Sequence, residues 1–98
     1  MNLAVVFEYE VDPAGAVAFE AVYGGDGEWA RSFAAAEGYL GTEMLRGADG
    51  RYLVIDRWRS ASDYDAFLTA NAADYGARNE AAARLWLRER ALGRFEAG

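Results

Sequence analysis

One segment of this chain, residues 51–59, is apolar on both faces of the β-strand that its pattern predicts. Large apolar side chains fill successive positions, with Tyr52, Val54 and Trp58 on one face and Leu53 and Ile55 on the other. A strand of an antiparallel sheet with one face in water normally alternates apolar with polar residues. Whatever fold the chain adopts must therefore cover this strand from both sides.

The rest of the sequence predicts the element order β-α-β-β-α-β. Alternating side chains predict four strands, at residues 3–11, 39–46, 51–59 and 89–95. Asp12 before Pro13 is typical of a helix start, and the glycines within residues 23–27 interrupt the helical region that follows. A capping box at Ser60 predicts the start of the second helical region, which runs to about residue 86.

This order predicts one α+β domain over residues 1–98, with the ferredoxin-like βαββαβ fold. Such a domain is a four-stranded antiparallel sheet with its helices on one face. A second copy of the chain is the simplest cover for the other face, because a two-fold interface uses the same patch on both subunits. The sequence therefore predicts a homodimer. It leaves open whether the set with Val54 or the set with Leu53 faces the partner.

The residue types that are missing restrict the chemistry. The chain contains no Cys, His or Lys. Disulfides, zinc–thiolate sites, Ser-His-Asp triads and pyridoxal phosphate chemistry are therefore excluded. Any catalysis must use Asp, Glu, Tyr, Arg, Asn or Ser, or a substrate that does most of the work itself.

Charge and hydropathy restrict the partners. The formal net charge is −6, whereas a nucleic-acid-binding domain usually carries a clustered basic face. No stretch approaches the roughly 20 apolar residues of a membrane span. The N-terminal segment has no basic start, and Glu8 and Glu10 interrupt it. We expect a cytoplasmic protein that binds neither nucleic acid nor membranes.

Four stretches carry a resemblance to a known family: residues 5–9, 37–41, 52–58 with the helix after Ser60, and 92–95. In order and length they resemble the antibiotic biosynthesis monooxygenase family, a branch of the dimeric α+β barrel superfamily. The resemblance implies a homodimer with facing sheets and a ligand cleft between helices and sheet. Some members oxidise aromatic polyketides without metal or flavin, and others degrade haem. In many members a His lies about where Asn71 falls here, which argues against haem degradation.

Two functions follow from this resemblance. The first is a monooxygenase without cofactor or metal that acts on a small phenol or quinol. Such a substrate can give a proton and then an electron to dioxygen, so the protein need supply only a dry pocket, a base and oriented polar groups. The alternative is a non-catalytic domain of the same fold that binds a small apolar ligand or a partner protein.

Asp56 is the candidate general base, because burial would raise the pKa of its carboxyl group. Its neighbour across the hairpin depends on the loop length: a two-residue loop pairs it with Glu43, and a three-residue loop pairs it with Thr42. The alternative role for Asp56 is an ion pair with an arginine at the dimer surface.

The other candidates lie on the predicted second helix and at the end of the third strand. Asn71 is a candidate for orienting the substrate, or else a helix N-cap with Asp74 three residues on. Tyr64, Tyr75 and Trp58 are candidates for substrate binding, although aromatic side chains at such spacings are more often part of the core.

Overall fold

The structure, a computed structural model, describes residues 2–97. Within them the chain forms four strands and four α-helices, in the order β1 (Leu3–Glu10), α1 (Ala16–Tyr23), α2 (Glu28–Phe33), β2 (Tyr39–Arg46), β3 (Arg51–Trp58), α3 (Ala61–Ala70), α4 (Ala72–Ala82) and β4 (Arg88–Glu96). Short 3₁₀ turns precede α1 (Pro13–Gly15) and follow α4 (Ala83–Leu85). The strands form one open antiparallel sheet in the order β2-β3-β1-β4. The predicted ferredoxin-like α+β fold is confirmed.

Local signals in the sequence set the helix starts. The carboxylate of Asp12 accepts a hydrogen bond from the backbone N–H of Ala14, and the hydroxyl of Ser60 accepts one from that of Asp63. Both predicted helical regions are divided in two. The first breaks at the predicted glycines, where a Cβ on Gly24 would lie 2.7 Å from the carbonyl oxygen of Glu20. The second breaks at Asn71.

The two faces of β3 carry the two sets of side chains that its sequence predicts. Tyr52, Val54, Asp56 and Trp58 are buried on the helix side. Leu53 and Ile55 are half-buried on the opposite face, so the set with Leu53 is the outward one. The β-ladders place Leu45 beside Leu53, Val6 beside Ile55 and Phe95 beside Ala4. The outward face therefore carries a continuous apolar surface, on which Leu45 is 43% and Phe95 54% exposed.

One irregularity interrupts the pairing of β1 with β4. Val6 pairs with Gly93 and Phe7 pairs with Ala91, so that Leu92 is an extra residue in β4. Gly93 beside it has a φ of 120°, a value that glycine adopts without strain. This is a β-bulge, which changes the face to which the following side chains point.

The hairpin between β2 and β3 takes the register that brings Thr42 opposite Asp56. Asp49 and Gly50 have positive φ angles of 59° and 76° at its tip. Side chains of the helical layer and of the inner sheet face then meet in one largely aromatic core. None of the helices in residues 2–97 is long and apolar enough to span a membrane.

Candidate functional site

A cavity of about 100 Å³ lies between the helices and the sheet, and we call it the inner cavity. Its wall combines aromatic rings with two carboxylates and one amide. The lining residues are Phe7, Tyr9, Tyr23, Trp29, Phe33, Val54, Asp56, Tyr75, Asn79 and Glu89. An apolar cavity with a few converging polar groups is the usual form of a small-molecule site.

Asp56 is the buried carboxyl group of this cavity. Its residue is 8% exposed, and it accepts a hydrogen bond of 2.7 Å from the hydroxyl of Thr42. The Thr42 hydroxyl in turn lies 2.5 Å from that of Tyr39. Burial raises the pKa of Asp56 to about 6, while the hydrogen bond from Thr42 opposes the rise. A carboxylate with this pKa can accept a proton near neutrality.

The register decides between the alternatives for Asp56. Glu43 lies beside Ile55 on the other sheet face, so the paired-carboxylate arrangement does not form. Arg57 also points outward and pairs with Glu43 at 3.4 Å. Among residues 2–97, no arginine forms an ion pair with Asp56 within 4 Å. The dominant influence on its carboxyl group is therefore desolvation.

A second polar wall of the cavity comes from β1 and β4. The hydroxyl of Tyr9 donates a hydrogen bond of 2.7 Å to Glu89, and burial raises the pKa of Tyr9. Nearby, Nε1 of Trp86 donates to the hydroxyl of Tyr23 at 3.2 Å. None of these residues was among the predicted site residues. The alternating pattern of β1 indicates that Tyr9 is buried. The pairing of Tyr9 with Glu89 cannot be predicted from alternation, because the ladder between β1 and β4 contains a β-bulge.

Of the five predicted site residues, Asp56 and Tyr75 line the inner cavity together. Burial raises the pKa of the Tyr75 hydroxyl, and the centroid of its ring lies 5.0 Å from that of Trp29. Tyr64 is buried next to Trp58, beneath the guanidinium of Arg94 at 4.9 Å from its ring centroid. It is not among the residues that line the inner cavity.

Trp58 and Asn71 also lie outside that wall. Trp58 is fully buried, at 0% exposure, between rings of the core. Its indole N–H has no hydrogen-bond partner within the described part of the chain. Asn71 donates its side-chain N–H to the carbonyl oxygen of Phe67 at 3.0 Å and makes no N-cap bond to α4. The predicted roles of Trp58, Tyr64 and Asn71 in binding stay predictions.

The residues present offer little to a metal ion. In the part of the chain that the structure describes, no three side chains of the Asp, Glu, His or Cys types lie close enough to hold one. The inner cavity instead offers a carboxylate that can take up a proton, the hydroxyls of Tyr9, Tyr23 and Tyr75, and a largely aromatic surface. This arrangement suits proton removal from an aromatic ligand in a water-poor site.

Comparisons with known proteins identify a family and a shared fold. The family profile described as "Antibiotic biosynthesis monooxygenase" matches residues 2–75. No curated protein matches the chain in sequence.

Several solved structures share the fold. A cofactor-independent oxygenase, SnoaB from Streptomyces nogalater, is 24% identical, with 98% of this chain and 92% of that chain covered and a TM-score of 0.74. A monooxygenase from the gene ActVA-Orf6 of Streptomyces coelicolor, in complex with nanaomycin D, is 23% identical, with 99% and 88% covered and a TM-score of 0.74. A conserved protein from Methanosarcina mazei Go1 has a TM-score of 0.77 at 9% identity, with 100% and 94% covered.

Proposed function

Because the chain belongs to the antibiotic biosynthesis monooxygenase family, we propose that it is a monooxygenase without cofactor, acting on a small phenol or quinol. The observation that carries this proposal is the buried carboxylate of Asp56 in an aromatic cavity, with a pKa of about 6. The similar monooxygenase from Streptomyces coelicolor was solved with a small molecule, nanaomycin D. Aromatic ligands also suit a wall built from tyrosine, tryptophan and phenylalanine rings.

In the proposed reaction, Asp56 removes the phenolic proton. The electron-rich anion then gives one electron to dioxygen, and the resulting superoxide and substrate radical combine to form a carbon–oxygen bond. The peroxide formed takes up a proton from Asp56. Its oxygen–oxygen bond breaks when the proton on the same carbon is lost, so one oxygen atom leaves as water and the other remains as a quinone carbonyl. The phenolate supplies the two electrons that reduce dioxygen to the peroxide, and the carbon–hydrogen bond supplies the two that break the oxygen–oxygen bond, so the four-electron reduction of dioxygen is balanced.

The remaining groups of the cavity hold the substrate. The hydroxyl of Tyr75 remains protonated, because burial raises its pKa. It can therefore donate a hydrogen bond to an anionic substrate oxygen, which stabilises the charge that develops after proton removal. The hydroxyl of Tyr9 donates to Glu89 instead, so Tyr9 contributes its ring to the wall. Contact of the substrate with Asn71, Tyr64 or Trp58 requires the cleft to extend beneath α3.

The proposed active unit is a homodimer. The outward sheet face carries Leu53, Ile55, Val6, Leu45 and Phe95. An apolar surface of this kind marks an interaction site in a protein of this size. A second copy would cover it on both protomers at once, through a two-fold contact between the sheets.

The proposed activity is tested with the purified protein in air-saturated, metal-free buffer. A panel of hydroxynaphthalenes and anthrones is incubated with wild-type protein and with Asp56→Asn, and quinone formation is followed by absorbance. We expect turnover by the wild type and at least about a hundredfold loss in Asp56→Asn, since general-base catalysis typically contributes that much. The matched control is Asp26→Asn in the exposed loop between α1 and α2. A rate at background across the whole panel would contradict the proposal.

The alternative is a binding domain without turnover. That function predicts an apolar cavity without a perturbed carboxylate, whereas the raised pKa of Asp56 favours proton transfer. Tight binding of panel members without quinone formation would support the alternative.

A further inference from the structure

A second cavity, which we call the outer cavity, lies beside the inner one between α1, α2 and the end of α4. Its volume is about 260 Å³. It is lined by Val22, Glu28, Trp29, Arg78, Ala81, Ala82, Arg84 and Leu85. Trp29 lines both cavities, so the two spaces share one wall.

The inner cavity alone is too small for most aromatic substrates. At about 100 Å³ it is smaller than the roughly 150 Å³ apolar cavity that accommodates benzene. Sites for small ligands usually have volumes of about 300 Å³ or more. A phenol whose hydroxyl reaches Asp56 must therefore extend beyond the inner cavity.

Helix α4 indicates the direction of this extension. Tyr75 and Asn79 line the inner cavity, while Arg78 and Ala82 line the outer one. Positions three and four apart are neighbours on a helix surface. A ligand that lies along α4 would thus pass from the first pair to the second beside Trp29.

The outer cavity is distinguished by its charge. Two arginines, Arg78 and Arg84, line it from the side of α4, and one carboxylate, Glu28, lines it from α2. The lining therefore carries a net positive charge in a chain whose net charge is −6. The hydrogen bonds of the two arginines within residues 2–97 run through Nε: Arg78 donates to Asp74 at 2.9 Å, and Arg84 donates to the carbonyl oxygen of Ala81 at 3.2 Å. The Nη groups stay available, and Arg78–Asp74 is an exposed pair of the kind that contributes little.

We propose that the outer cavity is an anion subsite and that the substrate is a phenol with a carboxylate tail. The phenolic hydroxyl lies in the inner cavity at Asp56, and the carboxylate lies in the outer cavity against Arg78 and Arg84. Guanidinium groups form the strongest hydrogen bonds to carboxylates, because both partners are charged. Glu28 lines the same cavity and repels the tail, which directs it to the α4 side. This inference rests on the proposed function for the identity of the phenol end.

The test compares ligand pairs that differ only in charge. 4-Hydroxyphenylacetate, 4-hydroxyphenylpropanoate and 4-hydroxyphenylbutanoate are each titrated against the corresponding primary amide, in the absence of oxygen, by isothermal calorimetry. We expect the wild-type protein to bind at least one acid about tenfold more tightly than its amide. The preference should weaken as salt is raised, since the arginines are partly exposed to solvent.

Three variants locate the preference. Arg78→Gln/Arg84→Gln should bring the acid and the amide to similar affinity, whereas Glu28→Gln should bind the acid more tightly and leave the amide unchanged. The matched control is Arg31→Gln, an exposed arginine of α2 that lines neither cavity and donates to the backbone of Asp26. Thermal melts confirm that each variant is folded.

The outcomes separate this inference from the proposed function. Equal affinity of the wild type for every acid and its amide would overturn the anion subsite, as would a preference that the double variant retains. If neutral phenols are oxidised but no acid binds more tightly than its amide, the oxygenase proposal is supported and the anion subsite is not. A charge preference that depends on Arg78 and Arg84, without quinone formation in air, would support the subsite and count against the oxygenase. Failure of every ligand to bind would overturn the subsite.

Discussion

The hydroxyl of Thr42 donates a 2.7 Å hydrogen bond to the carboxylate of Asp56 across the β2–β3 ladder. The bond favours the ionised form, so it limits the rise in the pKa of Asp56 that burial causes. It therefore tunes the pH at which the proposed base becomes active.

Replacing Thr42 by valine should raise the pKa of Asp56 further, because burial would then act without this hydrogen bond. We expect the acid limb of the pH–rate profile to move upward by about one unit, the size of a hydrogen bond to a charged group. The measurement is kcat/KM between pH 4 and 9. Thr42→Ser keeps the hydroxyl and is the matched control, and a profile that does not move in Thr42→Val would argue against Asp56 as the base.

The raised pKa of Asp56 also makes stability depend on pH. Between the ordinary value of 3.8 and the folded value of about 6, the folded state holds this proton more tightly than the unfolded chain. The contribution of Asp56 to the free energy of unfolding therefore falls as pH rises through this window, by roughly 2 to 3 kcal/mol at most.

Asp56→Asn removes this ionisation and keeps an acceptor for Thr42. We expect the variant to gain stability relative to the wild type between pH 4 and pH 8, as measured by urea denaturation at both values. The matched control is Asp26→Asn on the exposed loop between α1 and α2. An Asp56→Asn protein whose stability relative to the wild type is the same at both pH values would show that the carboxyl group is not held in its neutral form by burial.

The two faces of β3 should respond differently to a buried charge. Leu53→Asp places a carboxylate on the outward apolar face and should separate the proposed dimer, with lower stability, while the monomer keeps its helical signal. Val54→Asp places it beneath the helices, where an unpaired charge costs about 4 kcal/mol or more, and should unfold the protomer.

Sedimentation and circular dichroism distinguish these results. A wild-type protein that sediments as a stable monomer at micromolar concentration would rule out the dimer. If instead Val54→Asp stayed folded and only lost its partner, the assignment of the two faces would be reversed.

Two tyrosines test how far the substrate site extends. Tyr75 lines the inner cavity and Tyr64 does not, so Tyr75→Phe should lower kcat/KM about tenfold, the effect of losing one hydrogen bond to the developing charge. Tyr64→Phe should leave it unchanged. An equal loss in both variants would indicate a cleft that reaches beneath α3, and would then support the predicted roles of Tyr64 and Trp58.

Local patterns in the sequence were sufficient to predict the fold. The alternation in β3, the cap at Ser60 and the glycines before α2 each act over a few residues, and the structure agrees with all three. The N-cap alternative for Asn71 gives the right position for the break, since α3 ends at Ala70 and α4 begins at Ala72. The side chain makes no cap bond to α4. It donates instead to the carbonyl oxygen of Phe67, which also accepts from the backbone N–H of Asn71.

The site was harder to predict, since it depends on register. Thr42 meets Asp56 only for one of two loop lengths, and a shift of one residue would have turned Thr42 to the other face. Glu89 reaches Tyr9 through a ladder whose bulge no alternation pattern reveals. The sequence pattern predicts Arg78 and Arg84 as exposed residues of a helix. Their place in the wall of the outer cavity, beside Trp29, follows only from the tertiary packing of α4.

The extra residue at Leu92 changes which side chains of β4 face the helices and which face outward. Before it, Glu89 faces the cavity beside Tyr9; after it, Arg94 turns inward over Tyr64, and Phe95 turns outward beside Ala4. If β4 alternated regularly through Leu92, Arg94 would point outward and Phe95 would point into the protomer. The outward apolar face would then lose Phe95, and the ring of Tyr64 would lose the guanidinium above it. The bulge therefore allows one strand to contribute both to the wall of the inner cavity and to the surface of the proposed dimer.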